Sequence, residues 1–382
     1  MMKRVLSIIG TRPEAVKMAP VIKALQLKPE IEPVICVTAQ HRQILDQVLN
    51  VFNIKPDYDL NLMLPNQTIT EISSAIFTHL DPLIKRVNPD WILVQGDTTT
   101  VMVSAILAFY NRVLLGHVEA GLRTYNKYQP FPEEINRTIT STIADLHFAP
   151  TQTSKNNLLK EGIPDSRILI TGNPVIDAIQ SIAELPSTKE VSNIERKMGI
   201  SLHDKIPGKR PFLILVTAHR RENFGRPLEN ICEAIRILSK NYGQDIYFLF
   251  PVHPNPNVTE TVYPLLKDLE NVCLVPPLDY LTFVHMLKHS YLVLTDSGGL
   301  QEEAPGFGVP VLVLRNLTER PEGIEAGTVR LVGTETEIIF EQAFELLNNP
   351  QAHAAMANAV NPFGDGKAAG RIVQGIIDFE SN

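Results

Sequence analysis

The chain has 382 residues, long for one domain and comfortable for two. Its composition, 44% hydrophobic and 20% charged, is that of an ordinary soluble globular protein. A formal charge of -7 argues against general affinity for nucleic acid or acidic membranes, so an anionic ligand would need local cations and backbone dipoles. Cys36, Cys232 and Cys273 lie far apart in apolar segments with no CxxC, which predicts buried thiols in a reducing compartment. MMKRVLSIIGTRPE reads as a first strand, not a signal peptide, and no apolar run reaches the length of a membrane span. The expected location is the cytoplasm.

Apolar runs alternate with helical periodicity from the start of the chain. Strands are predicted over Arg4 to Ile9, Pro33 to Thr38, Trp91 to Val94, Arg112 to Val118, Leu146 to Ala149 and Ile168 to Ile170. Helices are predicted from Glu14 to Leu27, His41 to Phe52, Gln67 to Val87 with Pro82 a candidate break, from Thr98 onward, and Pro132 to Asp145. Leu185 to Pro211 is rich in lysine, proline and serine and reads as an irregular connection. A second series follows, with strands at Phe212 to Val216, Ile246 to Phe250, Val272 to Val275, Tyr291 to Leu294 and Val309 to Leu314. Its helices fall near Leu228 to Asn241, Pro256 to Leu269, Leu281 to Lys288 and Leu300 to Phe307, and Lys367 to Phe379 is amphipathic. The pattern predicts an α/β chain of two doubly wound parallel sheets with a ligand cleft between them. The expected domains are 1–175, a connection over 176–210, 211–365, and a terminal helix over 366–382.

In open α/β sheets the ligand lies beyond the carboxyl ends of the strands. Those ends carry Gly10-Thr11-Arg12, Gln95-Gly96-Asp97 and Glu119 in the first half. The second half supplies His219-Arg220-Arg221-Glu222-Asn223, then His253, then Asp296-Ser297-Gly298-Gly299. One polar strand end is ordinary turn chemistry, but this many acids, imidazoles and arginines point to a site. Ser297, Gly298 and Gly299 open a predicted helix whose amides favour an anion, while Glu302 and Glu303 suit ribose hydroxyls. Arg12 and Lys17 are candidates to complete a diphosphate clamp. Asp97, Glu119, Glu133 and His219 are candidate proton donors and acceptors, since clustered carboxylates separate in pKa. Bland alternatives exist for each: Asp97 can cap the helix at Thr98, Glu133 and Glu134 can complement a helix start after Pro132, and His219 can satisfy a polar turn. Neither GxGxxG, GxxxxGK[ST] nor HExxH occurs, so a nicotinamide or flavin cofactor, a P-loop and a metal centre are not expected.

The ordered motifs GTRPEAVKMAP, LVQGDTTT, GHVEAGLRT, FPEEINR, TGNPVID, TAHRREN, PVHPNP, DSGGLQEEAP and TERPEGIEAGT resemble those of the non-hydrolysing UDP-N-acetylglucosamine 2-epimerases from Gly10 to Thr328. The resemblance implies the GT-B fold, with two Rossmann-like domains, the active site between them, and a C-terminal helix returning to the first. It also implies a homodimer, no cofactor, and interconversion of UDP-GlcNAc and UDP-ManNAc by C2 inversion. The C2 proton is not beside a carbonyl, so the family eliminates UDP to bound 2-acetamidoglucal and adds it back with the proton on the other face. Carried over by position, Asp97, Glu119, Glu133 and His219 match the catalytic set, without assignment of which removes or delivers the proton. Glu303 matches the ribose-binding acid and Phe283 is a candidate to stack on uracil, with His253 and Arg320 on the nucleotide side. Gln40, Gln43, Gln67, Arg220 and His253 match an activator site for a second UDP-GlcNAc in some bacterial members. Asn66 stands where some regulated members carry arginine, and Asn316-Leu317 replaces a more polar dipeptide. The competing readings are a hydrolysing epimerase releasing ManNAc, a GT-B glycosyltransferase using a UDP-sugar, and a non-catalytic binder of nucleotide sugars.

Overall fold

The computed structural model describes residues 2–38, 42–62, 67–202 and 211–380, with backbone alone over 42–44. It comprises two units, Met1–Ala178 with Phe363–Asn382, and Ile179–Pro362. In the first, strands β1 (Lys3–Ile9), β2 (Ile31–Val37), β3 (Tyr58–Asp59), β4 (Trp91–Gln95), β5 (Leu114–Val118), β6 (Leu146–Ala149) and β7 (Ile168–Ile170) form one sheet. Its order is β3-β2-β1-β4-β5-β6-β7, with parallel pairing throughout. The interior strands are apolar on both faces because helices cover both sides of the sheet. Strand order reverses between β1 and β4, which creates a crevice at their carboxyl ends. Gly10 stands there because a Cβ at this position would lie 2.5 Å from Thr100 Oγ1.

The second unit repeats the plan with β8 (Phe212–Thr217), β9 (Ile246–Pro251), β10 (Val272–Val275), β11 (Leu292–Thr295), β12 (Val311–Val313) and β13 (Val329–Leu331). The order β10-β9-β8-β11-β12-β13 reverses between β8 and β11. These two parallel sheets flanked by helices are the expected GT-B-like, doubly wound α/β class. The last helix, Ala368–Asp378, belongs to the first unit. Asp177 accepts from the amides of Ala368 and Ala369 at its start, at 3.2 and 2.9 Å. At its other end Lys3 Nζ donates to the carbonyls of Ile376 and Ile377. No helix of the described residues is long and apolar enough to cross a membrane.

Several local expectations need correction. The helix Ile69–Val87 runs through Pro82 unbroken, because Pro82 is on its solvent face while Leu80, Leu83, Ile84 and Val87 are buried. The carbonyl freed on that face can be satisfied by water, so the usual cost is reduced. The supposedly irregular segment after Leu185 contains a helix, Lys189–Met198, with Thr188 accepting from the Val191 amide and Gly199 closing it at φ 68°. Its polar composition hides a narrow stripe, Val191, Ile194 and Met198, that enters the core of the second unit. Residues 203–210 of that segment lie outside the described residues. Leu300 to Phe307 is a single α-turn, Leu300–Glu303, followed by a 3-10 helix, Ala304–Phe307. Helices Gln152–Lys160, Pro174–Ala183, Pro321–Glu325, Thr336–Asn348 and Pro350–Ala357, with strands β3 and β13, fall outside the elements expected from sequence.

Candidate active site

Glu119 follows β5 with φ 63°, a left-handed conformation that a non-glycine residue holds only when its surroundings over-determine it. The surroundings do so. Lys17 Nζ lies 2.6 and 2.7 Å from the two carboxylate oxygens, Asn173 Nδ2 donates to Oε1 at 2.9 Å, and Gln95 Nε2 donates to Oε2. Only an ionised carboxylate can accept at all of these points. Gln95 reaches it because β4 and β5 pair with Gln95 opposite Val118. Lys17, read from sequence as part of a diphosphate clamp, places its ammonium on Glu119. Arg12 begins the helix Arg12–Gln26 at the carboxyl end of β1, half-buried.

Asp97 is not the helix cap. Thr98 takes that position, its Oγ1 accepting from the Val101 amide at 3.3 Å, which leaves the Asp97 carboxylate for other work. Arg137 Nη1 lies 3.5 Å from Asp97 Oδ2, and Asn136 Nδ2 donates to the Asp97 carbonyl at 2.9 Å. Burial pushes the Asp97 carboxyl up to about 6, Arg137 and Lys17 pulling it down and Glu119 and Glu133 pushing it further up. Below the Gly96 turn, buried His117 donates from Nε2 to the Gly96 carbonyl at 2.8 Å. Burial lowers its pKa to about 4, so it is a neutral prop for the turn and not an acid.

Pro132 occupies the N-cap position, not the first helical position, and the helix starts at Glu133. Glu133 is half-buried and close enough to raise the Asp97 pKa. Glu134, read as a helix-start residue, is buried and accepts from the amides of Thr124 and Tyr125 while pairing with Arg137 at 2.6 Å. It ties down the loop at Thr124 and Tyr125 and aims Arg137 at Asp97. Arg123 turns elsewhere, to Glu161 at 2.7 Å.

A further buried acid lies in the first turn of the helix Arg12–Gln26. Glu14 accepts from the Gly10 amide at 2.6 Å and from Thr11 Oγ1 at 2.9 Å. Burial raises its carboxyl from 4.5 to about 7, against the Gly10, Thr98 and Thr11 hydrogen bonds, with Asp97 adding to the rise. The native state therefore retains a proton that the unfolded chain has released. This contribution is fully present below 4.5 and lost as pH rises through about 7, on the order of 3 kcal/mol. Glu14→Gln cannot ionise, so its melting temperature is expected to vary less than wild type between these limits. Parallel melting curves for the two proteins across that range would refute the assignment.

In the second unit, the loop after β8 is organised by Asp296 at the end of β11. Asp296 Oδ2 accepts from the amides of His219 and Arg220, each at 2.8 Å, and from Asn223 Nδ2 at 3.0 Å. The His219 ring stacks on His253, centroids 5.4 Å apart. Burial lowers the His219 pKa, with Asp296 opposing and His253 and Arg220 reinforcing the fall. Ser297, Gly298 and Gly299 lead into the single turn Leu300–Glu303, whose first amides lie outside its hydrogen-bond ladder. With so short a helix, those amides matter more to an anion than any macrodipole. A Cβ on Gly298 would lie 3.9 Å from Arg220 Nη2, and one on Gly299 3.5 Å from Glu303 Oε1. Glu302 is buried and bound to Arg320, and Glu303 beside it is half-buried. Phe283 is half-buried at the margin of the core.

Of the activator-site candidates, Gln67 donates to the Leu62 carbonyl at 3.1 Å and Arg220 is exposed beside His219. Gln40, Asn66 and the side chain of Gln43 lie outside the described residues. Sequence reasoning assigned no role to Gln95, Asn173 or Asp296. The available signal was their place at strand ends and inside the motifs LVQGDTTT, TGNPVID and DSGGLQEEAP.

The family described as UDP-N-acetylglucosamine 2-epimerase matches residues 23–377. The UDP-N-acetylglucosamine 2-epimerase of Escherichia coli K12 is 50% identical over 373 residues, 98% of each chain. The crystal structure of UDP-GlcNAc 2-epimerase from Neisseria meningitidis bound to UDP-GlcNAc shares 47% identity and a TM-score of 0.85, over 98% of this chain and 100% of that one. The UDP-GlcNAc 2-epimerase of Methanocaldococcus jannaschii shares 34% identity and a TM-score of 0.83, over 98% and 99%. With two doubly wound sheets, their strand-end acids and imidazoles, and these likenesses along nearly its whole length, the chain belongs to the UDP-N-acetylglucosamine 2-epimerase family.

Proposed function

We propose that the chain interconverts UDP-GlcNAc and UDP-ManNAc without net hydrolysis. UDP-GlcNAc 2-epimerase activity is the coarser statement, carried by the family; the route by elimination and re-addition is our own reading. The observation behind it is the pairing of two unlike carboxylates at one strand-end crevice. Glu119 is ringed by donors, while Asp97 has a pKa near 6 and can hold or release a proton near neutrality.

A base takes the C2 proton as the C1–O bond breaks, its electron pair leaving with UDP and the C1=C2 bond of 2-acetamidoglucal forming. Re-addition of UDP with a proton delivered to C2 from the opposite face gives the epimer, and proton exchange with solvent then returns the enzyme to its starting protonation. Asp97, Glu119, Glu133 and His219 are the residues proposed for these transfers. Ser297 to Gly299, Arg320 and Arg12 would stabilise the departing diphosphate. Glu303 would hold the ribose, with Phe283 against uracil and His253 beside the nucleotide. Lys17 would be shared between Glu119 and the developing anion.

The three buried free thiols support a reducing, cytoplasmic setting. A homodimer is proposed from the family likeness; Phe109 and Tyr110, both 68% exposed on the helix Thr99–Asn111, are a candidate part of its interface.

Incubation with UDP-GlcNAc alone in deuterated water, followed by NMR, tests the reading. UDP-ManNAc carrying deuterium at C2 is the expected product. Accumulation of free ManNAc and UDP would favour the hydrolysing alternative, and no turnover would favour a transferase or a binder.

A further inference from the structure

Asp296 has no exposed surface, and its two oxygens are used unequally. Oδ2 accepts from the His219 and Arg220 amides and from Asn223 Nδ2. Buried Oδ1 has no hydrogen-bond partner among the described residues, and 3.7 Å away lies His219 Nδ1. A buried carboxylate oxygen left without a donor is costly, so its orientation calls for an explanation. Because β8 and β11 are neighbours, with Thr217 opposite Thr295, the acid and the imidazole leave adjacent strand ends. Three donors fix the acid, and His253 stacks against one face of the imidazole.

We propose that Asp296 is a positioning residue whose Oδ1 receives the Nδ1 proton of His219, leaving Nε2 as the atom presented to substrate. A small rotation of the His219 ring closes 3.7 Å to a hydrogen bond. The arrangement fixes the tautomer, so the same nitrogen is ready to accept or deliver a proton in each direction of a reversible reaction. The charged and titratable groups acting on His219 are Asp296, His253 and Arg220; of these only Asp296 raises its pKa. This rests on the proposed role of His219 in the reaction, but the tautomer itself is a property of the free protein.

The test is Asp296→Asn. Its amide oxygen can replace Oδ2 toward the three donors, so the loop keeps its hydrogen bonds, while its NH2 faces Nδ1 and forces that nitrogen to accept. In protein labelled with 15N-histidine, with His219→Asn used to assign the signal, wild type is expected to carry the proton on Nδ1 and the variant on Nε2. Turnover with UDP-GlcNAc should fall at least about a hundredfold, with KM changed less than about threefold and the His219 limb of the pH profile moved to lower pH. A His219 tautomer that is the same in both proteins, or turnover within about threefold of wild type, overturns the proposal. If wild type itself does not turn over UDP-GlcNAc, the turnover comparison lapses, and a tautomer that differs between wild type and Asp296→Asn supports the Asp296–His219 link and overturns the epimerase reading instead.

Discussion

Glu119→Gln is expected to lower kcat by about a thousandfold or more while UDP binding changes only a few-fold, because the carboxylate is the meeting point of three donor side chains. Lys17, Asn173 and Gln95 all present donors to it. A glutamine must offer an NH2 to one of them, setting donor against donor, and it removes the counter-charge of Lys17, whose side chain is only 18% exposed. Breaking a buried ion pair from one side costs about 3–5 kcal/mol, so the variant should also melt earlier. The double variant Lys17→Met/Glu119→Gln separates the two effects. It should recover much of the lost stability, as no buried charge is left unpaired, without recovering turnover. Near-normal turnover in Glu119→Gln, or activity returning with stability in the double variant, would remove Glu119 from the chemistry.

For Asp97→Asn the expected loss is about a hundredfold to ten-thousandfold in kcat/KM, together with a change in the shape of the pH profile. Wild type should show a limb near 6, where burial places the Asp97 carboxyl. If Asp97 works as the base, rate rises through that limb with pH; if it works as the acid, rate falls. Either way the limb should vanish in the asparagine variant. Arg137→Met supplies the sign check. Arg137 lies 3.5 Å from Asp97 and lowers its pKa, so removing the guanidinium should move the limb to higher pH. A limb unmoved by Arg137→Met and retained in Asp97→Asn would belong to another group.

These expectations show which parts of the site could be read from sequence. Gly10, Asp97, Glu119, His219 and the Ser297–Gly299 run stand out because each closes an apolar run, and ligands gather beyond strand ends in parallel sheets. Which acid a given amide or cation would meet could not be read this way. Lys17 and Glu119 are 102 residues apart, and Asn173 reaches Glu119 across 54. Glu133 and Glu134 are neighbours in the chain, yet one helix start turns Glu134 into the loop and Arg137 and leaves Glu133 near Asp97.

The sequence by itself determined the alternation of strands and helices and the residue types at the strand ends, because periodicity and turn chemistry are local. The tertiary structure decided that Lys17 serves Glu119 and that Asp296 leaves one oxygen for His219. Those outcomes depend on which strand ends become neighbours where the order reverses, between β1 and β4 and between β8 and β11. Strand order is a product of long-range packing, and a side chain's charge state and partners follow from it.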